Sequence, residues 1–307
     1  MDIIILLFGF SIGLVLLVKG ADEMVSSAIQ IALKFKLPSS IVGATFIGFG
    51  TSAPELFAST RAALKGDLDL GIGNIVGSNI ANSLLVVAVL YLALPKDYSK
   101  KINLNKISPT WMAILTTIFV STYLLTNKFP FLLGVALLVL VLYVIYKMIS
   151  SESDDEEDFI EEEKSYVWLR GGMSLIATLY GSQLVVENAV EIASIFGVSS
   201  LVIGSTIIAI GTSLPEVAGT ISAAKMRKPD IVFGNIFGSN LFNIGLVGGA
   251  AIMISPGEIS SAIDYQLFIM YFVSFVVIFL SRNIIKRNEI LGYVFIALYV
   301  LFLISLF

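Results

Sequence analysis

The chain has 307 residues, 57% of them in the apolar set and only 14% charged, with a formal net charge of −4. A soluble domain carries about a quarter charged residues, so the composition points to a membrane protein. With no histidine and no cysteine, the sequence excludes Ser-His-Asp and Cys-His nucleophiles, zinc thiolate or imidazole sites, disulfides and iron–sulfur clusters.

In chain order, apolar runs long enough to cross a bilayer, roughly 17–25 residues each, lie near 3–30, 39–60, 70–94, 108–125, 129–149, 166–193, 199–223, 230–254, 265–281 and 288–306. The first begins without a basic leader region or a small-residue cleavage site and reads as a retained helix. The sequence therefore predicts an all-α membrane protein of ten transmembrane helices. Nine acids fall in one stretch, Glu152 to Glu163, between the fifth and sixth runs. Like-charge blocks of this kind read as a solvated linker, and without a glycine the stretch fits no EF-hand loop. The organisation is then a first five-helix unit at 1–150, an acidic loop at 151–165 and a second unit at 166–307.

Ten spans place both termini on one side. The loops on the other side carry 15 Lys or Arg residues, including Lys34, Lys96, Lys100, Lys101, Arg227, Lys228 and Arg287, whereas the terminal side has only Arg61, Lys65 and Lys128. Basic loops mark the cytoplasmic face. The expectation is a multi-pass cell-membrane protein with both termini outside and the acidic loop cytoplasmic. Its partners are the lipid bilayer and cations; bases scattered between apolar segments suit no nucleic acid, and no obligate protein partner is expected.

The two halves repeat. IVGATFIGFGTSAPELFAST, 41–60, aligns with VIGSTIIAIGTSLPEVAGTI, 202–221, and GNIVGSNIAN, 73–82, aligns with GNIFGSNLFN, 234–243. One ungapped offset of 161 relates Glu55 to Glu216, Gly20 to Gly181 and Asn82 to Asn243. Five spans per repeat is an odd number, so the second copy enters the membrane from the opposite face. That is the inverted-repeat design of secondary transporters.

The best-matching residues are polar, in segments that are otherwise apolar. A carboxylate at the bilayer centre costs about 2.5–3.5 kcal/mol on insertion scales, yet Glu55 and Glu216 each sit near the middle of a span. Each follows a proline, which removes a backbone donor and frees the carbonyl four residues back: Gly50 before Pro54, Gly211 before Pro215. The carbonyls of Gly48 and Ala209 also lie within reach of an unwound segment. Hydroxyls from Thr51, Ser52, Thr212 and Ser213 adjoin each glutamate, and helical spacing puts Ser78 with Asn82, and Ser239 with Asn243, on one face of the next span. All these groups offer oxygen, the donor that hard cations such as Ca²⁺ take in sets of 6–8. Asn74, Asn79, Asn235 and Asn240 read as packing or supporting residues, and Asp22, Glu23, Glu187 and Glu191 as interfacial charge or an ion-concentrating vestibule. Two carboxylates also form an acid dyad in some enzymes, but the Thr, Ser and Asn neighbours suit a cation better, so no enzyme activity is expected. A channel would need a continuous pore, which one central site in a repeat does not suggest.

At these motifs the sequence resembles the cation/calcium exchanger superfamily, above all the prokaryotic sodium/calcium antiporters. GTSAPE…GNIVGSNIAN and GTSLPE…GNIFGSNLFN look like its α1 and α2 repeats, and the resemblance runs over essentially the whole chain. It implies that Glu55, Asn82, Glu216 and Asn243 surround the transported ion. It also implies that Thr51, Ser52, Ser78, Thr212, Ser213 and Ser239 help ligate Na⁺ or Ca²⁺, with the carbonyls of Gly48 and Ala209. The transported ions would be Ca²⁺ and Na⁺, with H⁺ as the alternative coupling ion, and no cofactor. The long first helix of each half would slide against a fixed core. One position departs from the pattern: well-studied members often carry Asp where this chain has Asn243.

Overall fold

The structure is a computed structural model that describes residues 3–102, 104–150, 166–197 and 209–306. The acidic stretch and the first part of the seventh predicted span lie outside the described residues. The described chain is helical, and its elements follow the predicted order. They are α1 (Ile3–Lys34), α2 (Ser39–Thr51), α3 (Ala53–Leu64), α4 (Leu68–Ala93), α5 (Ile107–Thr126), α6 (Phe131–Ile149), α7 (Val167–Ile195), α8 (Ala209–Gly211), α9 (Leu214–Lys225), α10 (Pro229–Ile254), α11 (Asp264–Ser281) and α12 (Glu289–Ile304). Six of these are long and apolar enough to cross a membrane, and α2 with α3, bent by 46°, makes a seventh.

The lipid-facing and protein-facing sides separate by element. Window by window, α4 is 72% buried and α10 83%, whereas α1 is only 22% and α6 33% buried. The two helices that carry the GNI-x-GSN motifs therefore form the centre. Exposed residues such as Phe8, Phe57, Leu132 and Phe268 project from the outside, as expected of a surface solvated by acyl chains rather than water.

Glycine sets two close crossings. An added methyl at Gly20 would lie 2.8 Å from the Thr178 nitrogen, and one at Gly181 would lie 2.8 Å from the Gly13 carbonyl oxygen. The offset of 161 maps Gly13 onto Ser174, Leu17 onto Thr178 and Gly20 onto Gly181. Gly20 meets Ser174 and Thr178, and Gly181 meets Gly13 and Leu17, so each contact has its mirror in the other half. The contacts run in opposite senses along the two helices, from Gly9 against Asn188 to Ser27 against Gly171. Helices α1 and α7 are thus antiparallel about an approximate two-fold. At one end Arg170 bonds Glu23, which gives that acid a partner across the pair.

The second crossing brings α2 onto α10. A methyl at Gly234 would lie 2.8 Å from the Ser40 carbonyl carbon, and one at Gly238 would lie 2.7 Å from that of Ala44. Their repeat mates Gly73 and Gly77 have no described atom within 4 Å. The offset places the corresponding partners at 201 and 205, outside the described residues.

Two short ribbons, which the sequence did not foreshadow, tie the halves together. Strand β1 (Ser99–Lys101) pairs antiparallel with β4 (Ile284–Lys286), with Lys100 opposite Ile285. Strand β2 (Lys128–Phe129) pairs with β3 (Gly257–Glu258). Each ribbon takes one strand from each half, so the loops flanking α5, α6, α11 and α12 are joined by backbone hydrogen bonds. Beside the β2–β3 ribbon, Tyr123 of α5 donates to Asp264 at the start of α11 over 2.5 Å.

Candidate functional site: a buried oxygen cluster

The predicted break before each glutamate is present. Ser52 separates α2 from α3 at φ −83°, ψ 0°, and Ser213 separates α8 from α9 at φ −94°, ψ 4°. Pro54 and Pro215 then occupy the first turn of the new helix, where a missing N–H costs nothing. Glu55 and Glu216 consequently stand in the first turns of α3 and α9. There the helix dipole and the free backbone N–H groups favour a carboxylate. The proline-released carbonyl of Gly211 is used: Ser182 of α7 donates to it over 3.2 Å. The Gly48 carbonyl accepts from the Ser52 backbone nitrogen at 3.2 Å and from the Ser239 hydroxyl at 3.3 Å. Ala209 begins the short α8.

The sequence-predicted residues of the two halves meet. Ser78 donates to Glu55 Oε1 over 3.3 Å. Thr51 Oγ1 lies 3.5 Å from Ser239 Oγ, across the halves. Thr212 and Ser213 line a cavity of about 150 Å³ with Asn74, Ser78 and Gln266, which places the hydroxyls of the second break beside those of the first repeat. Glu55 is 4% exposed and Glu216 2%, so neither carboxylate is solvated by bulk water.

Helix α4 changes to π geometry over Asn82–Val86 and α10 over Asn243–Gly248. A π-turn inserts a residue into the helix and re-aims the side chains around it, and such turns concentrate at functional sites. Both start at the asparagines singled out in the sequence. A third, Gly43–Gly48, ends at the carbonyl of Gly48. Single-sequence patterns carry no signal for a one-residue insertion of this kind.

Each of the two asparagines is held by the other repeat. Asn82 donates its amide to Asn240 Oδ1 over 3.1 Å, and Asn243 donates to Asn79 Oδ1 over 3.0 Å. These bonds are mirror images under the offset of 161, since Asn79 maps to Asn240. Both pairs spend the N–H₂ side of the amide on protein, and the Asn243 oxygen is left without a partner. Asn240 in turn donates to Ser83 over 3.2 Å.

Among the described residues, six buried polar atoms lack a partner: Ser52 Oγ, Glu55 Oε2, Glu216 Oε2, Asn243 Oδ1, Thr220 Oγ1 and Ser222 Oγ. A buried polar group without a hydrogen bond is costly and rare. Four of the six belong to residues that the motifs mark. All four are oxygens, the two glutamate atoms carry negative charge when ionised, and Ser52, though at an N-cap position, makes no capping bond. This donor set fits a hard cation. No group of three or more His, Cys, Asp or Glu residues is placed to hold a metal ion among the described residues, so hydroxyls, amides and carbonyls must supply most of any coordination shell. The two halves are not equivalent: Ser78 serves Glu55, whereas its mate Ser239 bonds Gly48 and Asn235.

A larger cavity of about 580 Å³ shares Thr212 with the smaller one, and it is lined by Ala53, Pro54 and Phe57 of α3 and by Ser182, Gln183 and Glu187 of α7. Gln183 donates to Glu187 over 2.7 Å. Glu187, read as interfacial charge or vestibule, thus faces a cavity that abuts the break. Asp22 and Glu191 are not brought into the cluster.

The profile of the family described as "Sodium/calcium exchanger protein" matches residues 5–151 and 166–307. This chain belongs to the sodium/calcium exchanger family. It is 38% identical over 262 residues to the putative antiporter CaxA of Alkalimonas amylolytica, covering 82% of this chain and 81% of that one. It is 30% identical to the sodium/calcium exchanger MaX1 of Methanosarcina acetivorans, over 96% and 97% of the two chains. Its fold superposes on the solved sodium-calcium exchanger NCX_Mj with a TM-score of 0.83 at 28% identity, covering 99% of this chain and 100% of that one. As a member of the exchanger family the protein is a multi-pass membrane transporter, an antiporter of Ca²⁺ and other cations, and not an enzyme.

Proposed function

We propose that this exchanger is a Na⁺-driven Ca²⁺ antiporter working by alternating access at one site between the halves. The observation that carries the reading is the set of unpartnered buried oxygens on Ser52, Glu55, Glu216 and Asn243. Coupling follows from shared ligands. Ca²⁺ and the coupling ions use overlapping oxygens from Glu55, Glu216, Asn82, Asn243 and the flanking hydroxyls of Thr51, Ser52, Ser78, Thr212, Ser213 and Ser239, with the carbonyls of Gly48 and Ala209. Neither ion then stays when the other binds. The Na⁺ preference rests on the Thr-Ser pair before each glutamate and on the similarity to the sodium/calcium exchangers MaX1 and NCX_Mj.

In this reading the ten runs are ten spans, arranged as two inverted repeats with the termini outside and the acidic loop in the cytoplasm. The mirrored contacts of α1 and α7, and their antiparallel course, support inversion. Helices α1 and α7 slide as gates, while the ribbons hold α5, α6, α11 and α12 as the fixed part.

The charge of the site limits the stoichiometry. Two carboxylates neutralise one Ca²⁺ or two Na⁺; a third Na⁺ would leave net positive charge in a buried site, at a desolvation cost. Exchange near electroneutrality is the expectation with Asn243 in place of Asp. Charge movement per Ca²⁺ in proteoliposomes tests this: strongly electrogenic Na⁺/Ca²⁺ exchange would refute it. Varying Na⁺, K⁺ and H⁺ gradients separately tests the coupling ion, and Ca²⁺ flux that follows only the pH gradient would establish the H⁺ alternative instead.

A further inference from the structure

Two residues that match under the 161 offset, Ser59 and Thr220, have opposite fates. Each lies four residues beyond a glutamate, hence on the same helix face as Glu55 or Glu216. Ser59 is saturated. It donates to the Gly71 carbonyl over 3.1 Å and accepts from Asn74 over 2.9 Å. The two helices run close here: a methyl added at Gly71 would sit 3.2 Å from the Ser59 backbone carbonyl oxygen. At the matching position α10 has Val232 in place of glycine. Thr220 is 1% exposed and its hydroxyl has no partner, as is also true of Glu216 Oε2 one turn away. Ser222, the other unpartnered hydroxyl of α9, lies off that face.

We infer that Glu216 Oε2 and Thr220 Oγ1 form a transient station for a hard, partly dehydrated cation on one branch of the ion path, and that the branch along α3 has none. Two oxygens one helical turn apart give an ion leaving the central cluster its next ligand. Beyond Thr220 the same face continues with Ala223 and Ala224, which are small, towards Lys225 at the helix end. In the proposed orientation that end is cytoplasmic. The inference rests on the antiport reading and adds a sidedness that the near-identical motifs of the two halves would not suggest.

The test is the apparent KM for Ca²⁺ measured separately at each face, in right-side-out and inside-out vesicles. Thr220→Val keeps the shape and removes the oxygen. It should raise the KM at the cytoplasmic face about fivefold, the effect of one lost hydrogen-bond-strength contact, with the outer face unchanged. Thr220→Ser should restore the wild-type value. Ser59→Ala should lower thermal stability and leave both KM values alone, since its hydroxyl is committed to α4. A Thr220→Val protein with unaltered KM at both faces, or altered equally at both, would overturn the station alone. A wild-type protein without ion-driven Ca²⁺ exchange would overturn the antiport reading and the station with it.

Discussion

Replacing Asn79 by leucine isolates how the site asparagine Asn243 is oriented. The Asn243 amide donates to Asn79 Oδ1 over 3.0 Å, and both side chains are fully buried. Leucine keeps the branching and the number of side-chain heavy atoms of asparagine but is bulkier, and its methyl groups suit the neighbouring Met270 sulfur, which Asn79 contacts at 3.6 Å. The Asn243 N–H₂ group, however, loses its acceptor in a dry environment, a loss of about 1–3 kcal/mol. The amide regains a partner only by turning its nitrogens towards the glutamates, and a donor then replaces an acceptor beside the cation. If that whole energy appears in binding, Ca²⁺ affinity falls by roughly 5- to 150-fold, at 1.4 kcal/mol per tenfold. Calorimetric titration of purified protein with Ca²⁺ reads this directly, with a thermal melt as the check on folding. Asn240→Leu should act on Asn82 in the same way and lose more stability, because Asn240 also donates to Ser83. A folded Asn79→Leu protein with wild-type Ca²⁺ affinity would refute the view that this amide pair aims Asn243 at the ion.

Further outcomes follow from the packing and the ribbons. Gly238→Ala would press a methyl to within 2.7 Å of the Ala44 backbone, and such overpacking should cost about 1–3 kcal/mol in a denaturation series. In this cysteine-free chain, paired cysteines at Lys100 and Ile285, opposite each other in the β1–β4 ribbon, should crosslink without loss of transport. A crosslink between cysteines at Leu17 and Thr178, across the α1–α7 crossing, should stop transport, and equal activity of both crosslinked proteins would argue against sliding. Outside the membrane, Arg227 bonds Asp97 over 2.6 Å and holds its carboxyl below the usual range. The linked stability is therefore present above the unfolded-state pKa and is lost as the pH falls through the depressed one. Wild type and Asp97→Asn should converge in melting temperature only in that acidic window, by a small amount because the pair is exposed.

The candidate site is more legible in the sequence than the scaffold around it. A carboxylate, a proline and paired hydroxyls inside apolar runs are so unfavourable by chance that Glu55, Glu216 and their neighbours stood out. The repeat then told which residues correspond. The sequence could not show that Asn82 pairs with Asn240, and Asn243 with Asn79. That pairing depends on how α4 and α10 cross, and each of the near-identical motifs offers three asparagines as partners. The π-turns at Asn82 and Asn243 were hidden for a related reason, since a one-residue insertion leaves the hydrophobic period almost unchanged. The ribbons were missed because two- and three-residue strands in charged loops have no alternation to detect. The difference between Ser59 and Thr220 is visible in the letters, but only the fold shows that Ser59 is bonded to Gly71 and Asn74 while the Thr220 hydroxyl has no partner.

The central claim is that two buried glutamates, shared between the halves, bind Ca²⁺ in competition with Na⁺. The most direct test is ⁴⁵Ca²⁺ uptake into proteoliposomes driven by an outward Na⁺ gradient at fixed pH, comparing wild type with Glu216→Gln, which removes one of the two charges and keeps the shape. The account predicts gradient-dependent uptake by the wild type and none by the variant, with the variant folded. Uptake by Glu216→Gln at the wild-type rate, or wild-type uptake indifferent to Na⁺, would contradict it.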